Sequence, residues 1–203
     1  MADVTGSGPR PSPLARLLAR ALSKLAQAVA TMNSKGPEPL PRAVAWLGYG
    51  GLLPFVALAI ASVVAHLSGQ NPGGWRVALL AYGTVILSFV GALHWGFAMT
   101  LRGLTPAQRT ACFVWSVVPA LVAWVACVAL LVPVAAPARS STDVAAALLV
   151  AGFCVHYARD RSLAAHADLP AWYLPMRLRL TWVACLCLIL SGAVAGLHPF
   201  VAG

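Results

Sequence analysis

Charge is what this sequence has least of. Charged residues make up 9% of its 203 positions, only five of them acidic, while 60% are hydrophobic. So little charge cannot cover a water-facing surface, which excludes an ordinary soluble domain. Catalytic signatures are missing too: there is no H-E-x-x-H, no G-x-S-x-G, no phosphate-binding glycine loop and no pair of carboxylates within an apolar run. The five cysteines, Cys112, Cys127, Cys154, Cys185 and Cys187, form no C-x-x-C. On a helix Cys185 and Cys187 point about 200° apart, so they cannot grip one metal together. They read as small packing residues, with neither a disulfide framework nor a metal site expected. The net charge of +9 comes without a basic stripe interleaved with aromatics, so nucleic acid is not an expected partner. An internal repeat of the kind that builds many transporters is also lacking.

What is present is length without charge. No Lys, Arg, Asp or Glu falls between Ala43 and Leu67, between Val77 and Leu101, or between Thr110 and Ala138. Such runs can cross the hydrocarbon core, which takes about 20 apolar residues as helix. Five spans are predicted: Ala43 to Leu67, Trp75 to Leu101, Thr110 to Val132, Ser141 to Ala158 and Leu178 to Leu197. Ser141, Thr142 and Asp143 read as the cap of the fourth, with the Asp anion at the positive end of its dipole. The class is therefore all-α, a polytopic membrane bundle over 42–203, preceded by a basic segment and Pro-rich linker over 1–41.

The cations fix an orientation. Arg10, Arg16, Arg20, Lys24, Lys35, Arg42, Arg102, Arg109, Arg159, Arg161, Arg177 and Arg179 fall on the N-terminal side of those spans, and only Arg76 and Arg139 on the other. By the positive-inside rule the N-terminus is expected on the cytoplasmic or matrix side, with Gly203 opposite. Within the first segment, Leu14, Leu17, Leu18, Ala21, Leu25, Ala28, Val29 and Met32 recur at helical spacing, with Arg16, Arg20, Lys24 and Gln27 on the other face. This is read as an interfacial helix whose Arg16, Arg20 and Lys24 meet anionic lipid, or as a mitochondrial targeting peptide. Met32 as the true start is a third reading.

Small residues mark helix contacts. Gly192 and Gly196 form a G-x-x-x-G, and Ser88, Ala92 and Gly96 repeat at four-residue spacing near Gly91. Packing within the monomer and dimerisation both fit.

His94 is the main candidate for chemistry, because an ionisable group deep in a span is a functional hypothesis by default. Centred on Gly91, the residues Thr84, Ser88, His94, Trp95 and Ala98 fall within about 60° either side on the wheel, a stripe expected to face protein. A proton relay, a quinone contact or an axial haem ligand are the functional readings. A neutral imidazole bonded to another helix is the structural one. His156, on a span running the same way, is a possible partner. Asp160 is expected to pair with Arg161, Arg177 or Arg179, while Trp172 and Tyr173 suit the interfacial aromatic belt beside Pro170 and Pro175.

Three segments resemble the transmembrane protein 69 family: Leu47-Gly48-Tyr49-Gly50-Gly51-Leu52-Leu53-Pro54-Phe55, Ser88-Phe89-Val90-Gly91-Ala92-Leu93-His94-Trp95-Gly96 and Pro170-Ala171-Trp172-Tyr173-Leu174-Pro175-Met176-Arg177. The resemblance runs from Arg42 to Leu197. It implies a multi-pass protein of the bacterial or mitochondrial inner membrane, and it directs attention to His94, Trp95, Asp160, Trp172, Tyr173 and Arg177. The expected role is non-catalytic, an accessory subunit or assembly partner of a larger, respiratory or other, inner-membrane complex, with membrane lipids and other subunits as partners and no cofactor. The alternative is a small redox or transport protein that uses the His94 stripe to bind a quinone, a haem b or a proton.

Overall fold

The computed structural model describes residues 39–132 and 138–197, together with Arg20 and Ser23. The chain divides into two units, residues 1–38 and 39–203. In the first, Arg20 and Ser23 are helical, and the Ser23 hydroxyl donates to the Arg20 carbonyl at 3.0 Å. The rest of the expected amphipathic helix, Arg16 and Lys24 included, lies outside the described residues.

The elements of the second unit, among its described residues, are all helices, and we number them α1 (Arg42–Gly50), α2 (Leu53–Leu67), α3 (Gly73–Thr100), α4 (Pro106–Leu131), α5 (Ala138–Ala164) and α6 (Tyr173–Leu197). They make five segments long and apolar enough to cross a membrane, because α1 and α2 share the segment Arg42–Leu67. Pro54 explains the break between them. Lacking an N–H, it cannot bond the Gly50 carbonyl one turn back, and beside the break the Gly51 carbonyl accepts the Tyr82 hydroxyl at 2.9 Å.

Side-chain chemistry sets the other ends. Thr105 and Gln108 close a capping box at the start of α4, each side chain meeting the other's backbone N–H, and Pro106 fills the first turn. Before it, the chain turns at Gly103 with φ of 82°, a conformation that favours glycine. Arg109 reaches back to the Ala98 and Leu101 carbonyls, satisfying acceptors that the end of α3 leaves open.

Several boundaries differ from the predicted spans, among them the start of α4 at Pro106 instead of Thr110. Helix α5 starts three residues before Ser141 and runs on to Ala164, and α6 starts at Tyr173 instead of Leu178. Thr142 and Asp143 therefore sit inside α5 instead of capping it. They accept hydrogen bonds from Arg76 at 2.8 and 2.5 Å. A span drawn from apolar runs stops at the first charges, whereas a helix continues wherever those charges find partners. Pro175 is tolerated in the first turn of α6, where no intrahelical N–H bond is due.

Helices α3, α4, α5, α6 and α2 pack in a closed ring, and α3 also touches α5 and α6, which makes it the central element. Its inward side carries Leu79, Leu80 and Leu87, fully buried against Leu149 of α5, Leu188 of α6 and Phe55 of α2. Phe55 meets Tyr82 and Phe153 edge to face. The outside is also apolar: Trp46, Leu53, Ile60, Phe89, Trp124 and Trp182 are all more than half exposed. Water would not tolerate a patch so extensive, and lipid requires it. The protein is a multi-pass membrane-helix protein.

Candidate functional site

Charge enters the interior of this bundle at two levels. On α3, Arg76 and His94 are 18 residues apart, about 27 Å of helix rise, close to the roughly 30 Å of a hydrocarbon core. At the Arg76 level the guanidinium, 2% exposed, bonds Thr142 and Asp143 and passes beside Gly192, where a Cβ would stand 3.2 Å from its Nη2. At the His94 level, the end where connections 101–105 and 165–172 lie, four helices supply polar groups.

The His94 level is built as follows. Helix α5 places His156 and Asp160 one turn apart on one face, so that both point inward. Helix α6 begins at this level, which brings Tyr173 and Arg177, also one turn apart, against them. The Arg177 Nε donates to Asp160 Oδ2 at 2.8 Å. The other carboxylate oxygen, Oδ1, faces His94 Nε2 at 3.7 Å and His156 Nε2 at 3.8 Å. Asp160 and His156 are fully buried, and His94 is 1% exposed. The imidazoles stand edge to face with centroids 5.0 Å apart, and Phe97 packs between His94 and Tyr173.

Hydrogen-bond bookkeeping singles this cluster out. Buried polar atoms are nearly always bonded. Yet His94 Nδ1 and Nε2, His156 Nε2, Asp160 Oδ1, the Tyr173 hydroxyl and Arg177 Nη2 have no bond of ordinary length, although the Val90 carbonyl neighbours the His156 ring and Asp160 and Arg177 neighbour the Tyr173 hydroxyl. The exception is His156 Nδ1, to which the Trp115 indole N–H donates at 3.1 Å. The Arg159 guanidinium lies 5.2 Å from the centroid of the same indole, a cation-π contact.

That one hydrogen bond decides which ion the site suits. Indole N–H is a donor only, so His156 Nδ1 holds a lone pair and the neutral ring carries its proton on Nε2. One ligand atom from each of His94, His156 and Asp160 can be chosen so that all three lie within 4.8 Å of one another, as metal ligands do. However, ligands about 2.1 Å from one ion stand roughly 3.0–3.4 Å apart and must offer lone pairs. His156 Nε2 does not, and the separations are wider. A haem between the two imidazoles would need more room than edge-to-face rings leave.

The structure thus brings together His94, His156, Asp160, Tyr173 and Arg177. The remainder of the predicted stripe lies elsewhere. The Thr84 and Ser88 hydroxyls turn back to their own helix, onto the Ala81 and Thr84 carbonyls. Trp95 is 52% exposed and packs on Phe113. Trp172 lies half-buried against Tyr173. Gly91 lies at a close approach of α3 to α4: a Cβ there would meet the Pro119 ring at 2.8 Å. Gly96 has nothing within 4 Å, and the surroundings of Gly196 are not among those described. Trp115 and Arg159 complete the site without having been expected in it. The cue was the indole itself, a half-buried side chain whose N–H seeks an acceptor.

The model of the DUF3429 family, described as a protein of unknown function, matches residues 40–193. Transmembrane protein 69 of Xenopus tropicalis is 31% identical over 172 residues, covering 81% of this chain. The chain spans 59% of that relative's length. No solved structure matches.

Proposed function

This chain belongs to the DUF3429 family, and on that premise we propose that it is a non-catalytic protein of the inner membrane, bacterial or mitochondrial, that takes up a proton at His94. Its N-terminus and basic connections face the cytoplasm or matrix, as the lopsided cations favour. The observation that carries the reading is the group of unbonded polar atoms on His94, His156 and Asp160, walled off from solvent beside Arg177. Ionisable groups are expensive at such a depth. A proton on His94 has Asp160 Oδ1 at 3.7 Å as its counter-charge, while Arg177 already occupies Oδ2.

The site lies near one end of the bundle, six residues from the end of α3. Between it and Arg76 the packing is apolar, through Leu87, Leu80, Leu79, Leu149 and Leu188. The buried hydroxyls of Ser62, Ser116 and Ser191 are spent on carbonyls of their own helices. The reading is therefore proton uptake from one side, without passage across. The test uses the full chain in sealed vesicles. A pH jump from about 8 to about 5, a range that brackets ordinary histidine titration, should load one proton that the His94→Gln variant does not take. Equal uptake by the two proteins, or steady proton flux above that of empty vesicles, would refute it.

The accessory-subunit reading is compatible with this one and has its own support. Ala92 and Gly96 face outward from α3 with no neighbour on the bundle at Gly96, so a partner helix can approach closely there. Co-purification after gentle solubilisation, compared between the wild type and Gly96→Leu, tests it. Partners retained equally by both, or a lone monomer in the wild type, would count against it.

A further inference from the structure

The carboxylate and two imidazoles at the His94 level are too far apart to bond one another and too close to be independent. Asp160 Oδ1 is 3.7 Å from His94 Nε2 and 3.8 Å from His156 Nε2, and the three residues each bring a ligand atom within 4.8 Å of the others. An oxygen atom about 2.8 Å from each, an ordinary hydrogen-bond length, fits on this triangle. An ion demanding about 2.1 Å does not.

The hydrogen-bond roles also suit an oxygen. With Nδ1 committed to Trp115, His156 presents Nε2–H, one donor. Asp160 Oδ1 is an acceptor, and so is His94 Nε2 in the tautomer protonated on Nδ1. One donor and two acceptors are the complement of a water molecule, and about three hydrogen bonds are usual for a buried one.

We infer that His94, His156 and Asp160 bind a single water molecule, the proton donor to His94, and that Trp115 selects water over a divalent metal by holding His156 as a donor. This rests on the proton-uptake reading of His94. An incoming proton adds to the water oxygen. The water O–H that faces His94 breaks as the Nε2–H bond forms, leaving neutral water and an imidazolium. Nothing else is consumed or released. The charged and titratable groups facing His94 are His156, Asp160 and Arg159 from α5, and Tyr173 and Arg177 from α6, with Trp115 from α4 completing the wall. Trp115 touches neither the water nor the proton and is a positioning residue.

Losing the indole N–H frees His156 to put its proton on Nδ1 and turn the Nε2 lone pair inward. Two imidazoles and a carboxylate then make a metal-binding set, once the ligand atoms close in from 3.7 and 3.8 Å, and from as much as 4.8 Å, to the roughly 3.0–3.4 Å that one ion requires.

The experiment is nitrogen-15 NMR of histidine-labelled full chain in lipid nanodiscs, assigned with His156→Gln, joined to Co²⁺ titration followed by absorbance. In the wild type, His156 should show a bare Nδ1 and a protonated Nε2, and Co²⁺ should give no site that depends on His94. In Trp115→Phe the tautomer preference should disappear, and one Co²⁺ per chain should bind in a way abolished by His94→Ala. A wild-type His156 protonated on Nδ1, or a His94-dependent Co²⁺ site in the wild type, overturns the inference, and neither measurement needs Trp115→Phe to fold. So does a Trp115→Phe chain that folds and keeps the wild-type tautomer. The proton-uptake reading fails separately, through His94→Gln, so a fixed tautomer without uptake and uptake without a fixed tautomer can be told apart.

Discussion

Removing Asp160 should be far more damaging than removing it together with Arg177. The pair is almost entirely withdrawn from solvent, with Arg177 6% exposed and Asp160 fully buried, and Arg177 Nε donates to Oδ2 at 2.8 Å. Asp160→Leu leaves a guanidinium inside an apolar bundle, and Arg177→Met leaves a carboxylate there. Breaking a buried pair from one side costs about 3–5 kcal/mol. The double variant, with apolar side chains of similar volume, leaves no orphan charge, and such replacements are often neutral. It should therefore lose less than either single variant, giving a coupling energy at or above the upper end, about 3 kcal/mol, of ordinary pairwise terms. Reversible unfolding of the full chain in mixed micelles with rising SDS, for the wild type and the three variants, supplies the cycle. Additive single losses would refute the reasoning, since they would mean that the two groups do not neutralise each other in the folded protein.

Other substitutions probe the frame around the site. Gly91→Ala should cost about 1–3 kcal/mol by driving a methyl into the Pro119 ring, whereas Gly96→Ala, with open space beside it, should stay within about 0.5 kcal/mol of the wild type in the same assay. Thr105→Ala removes half of the capping box of α4 and should lower stability by about 1 kcal/mol, and Thr105→Ser should restore most of it. Single cysteines placed at residues 40 and 197 of a cysteine-free chain should react with a membrane-impermeant maleimide from opposite faces of sealed vesicles. Labelling of both from one face would contradict five crossings.

The helix bundle was legible because apolar runs of span length leave few alternatives, and each expected span found its helix. Its ends were less so. Arg159, Asp160 and Arg161 read as a connection, since isolated charges end an apolar run; in the fold Asp160 meets Arg177 and the helix carries on past it. The same partner draws Tyr173 and Arg177 into α6. His94 stood out by type and depth, but the wheel was centred on Gly91, and the buried side of α3 centres about 60° away, on His94 itself. Thr84, Ser88 and Trp95 thus fall at the edge and spend their polar groups locally or face outward. Trp115 was invisible for another reason: nothing in one sequence says which histidine an indole will meet.

The leucine-packed stretch between Arg76 and His94 has an electrical consequence. His94 lies six residues, about 9 Å of rise, from the end of α3, roughly a third of the apolar thickness. Moving one charge fully across costs or yields about 2.3 kcal/mol per 100 mV, so a proton that stops at His94 works with or against only about 0.8 kcal/mol, about fourfold in occupancy. The remaining two-thirds of the voltage falls across a core of leucines, Phe55, Tyr82 and cysteines with, among the described residues, no acidic, basic or histidine side chain between the His94 and Arg76 levels. On the proton-uptake reading, such a site follows the acidity of its own compartment and feels only about a third of the voltage across the membrane.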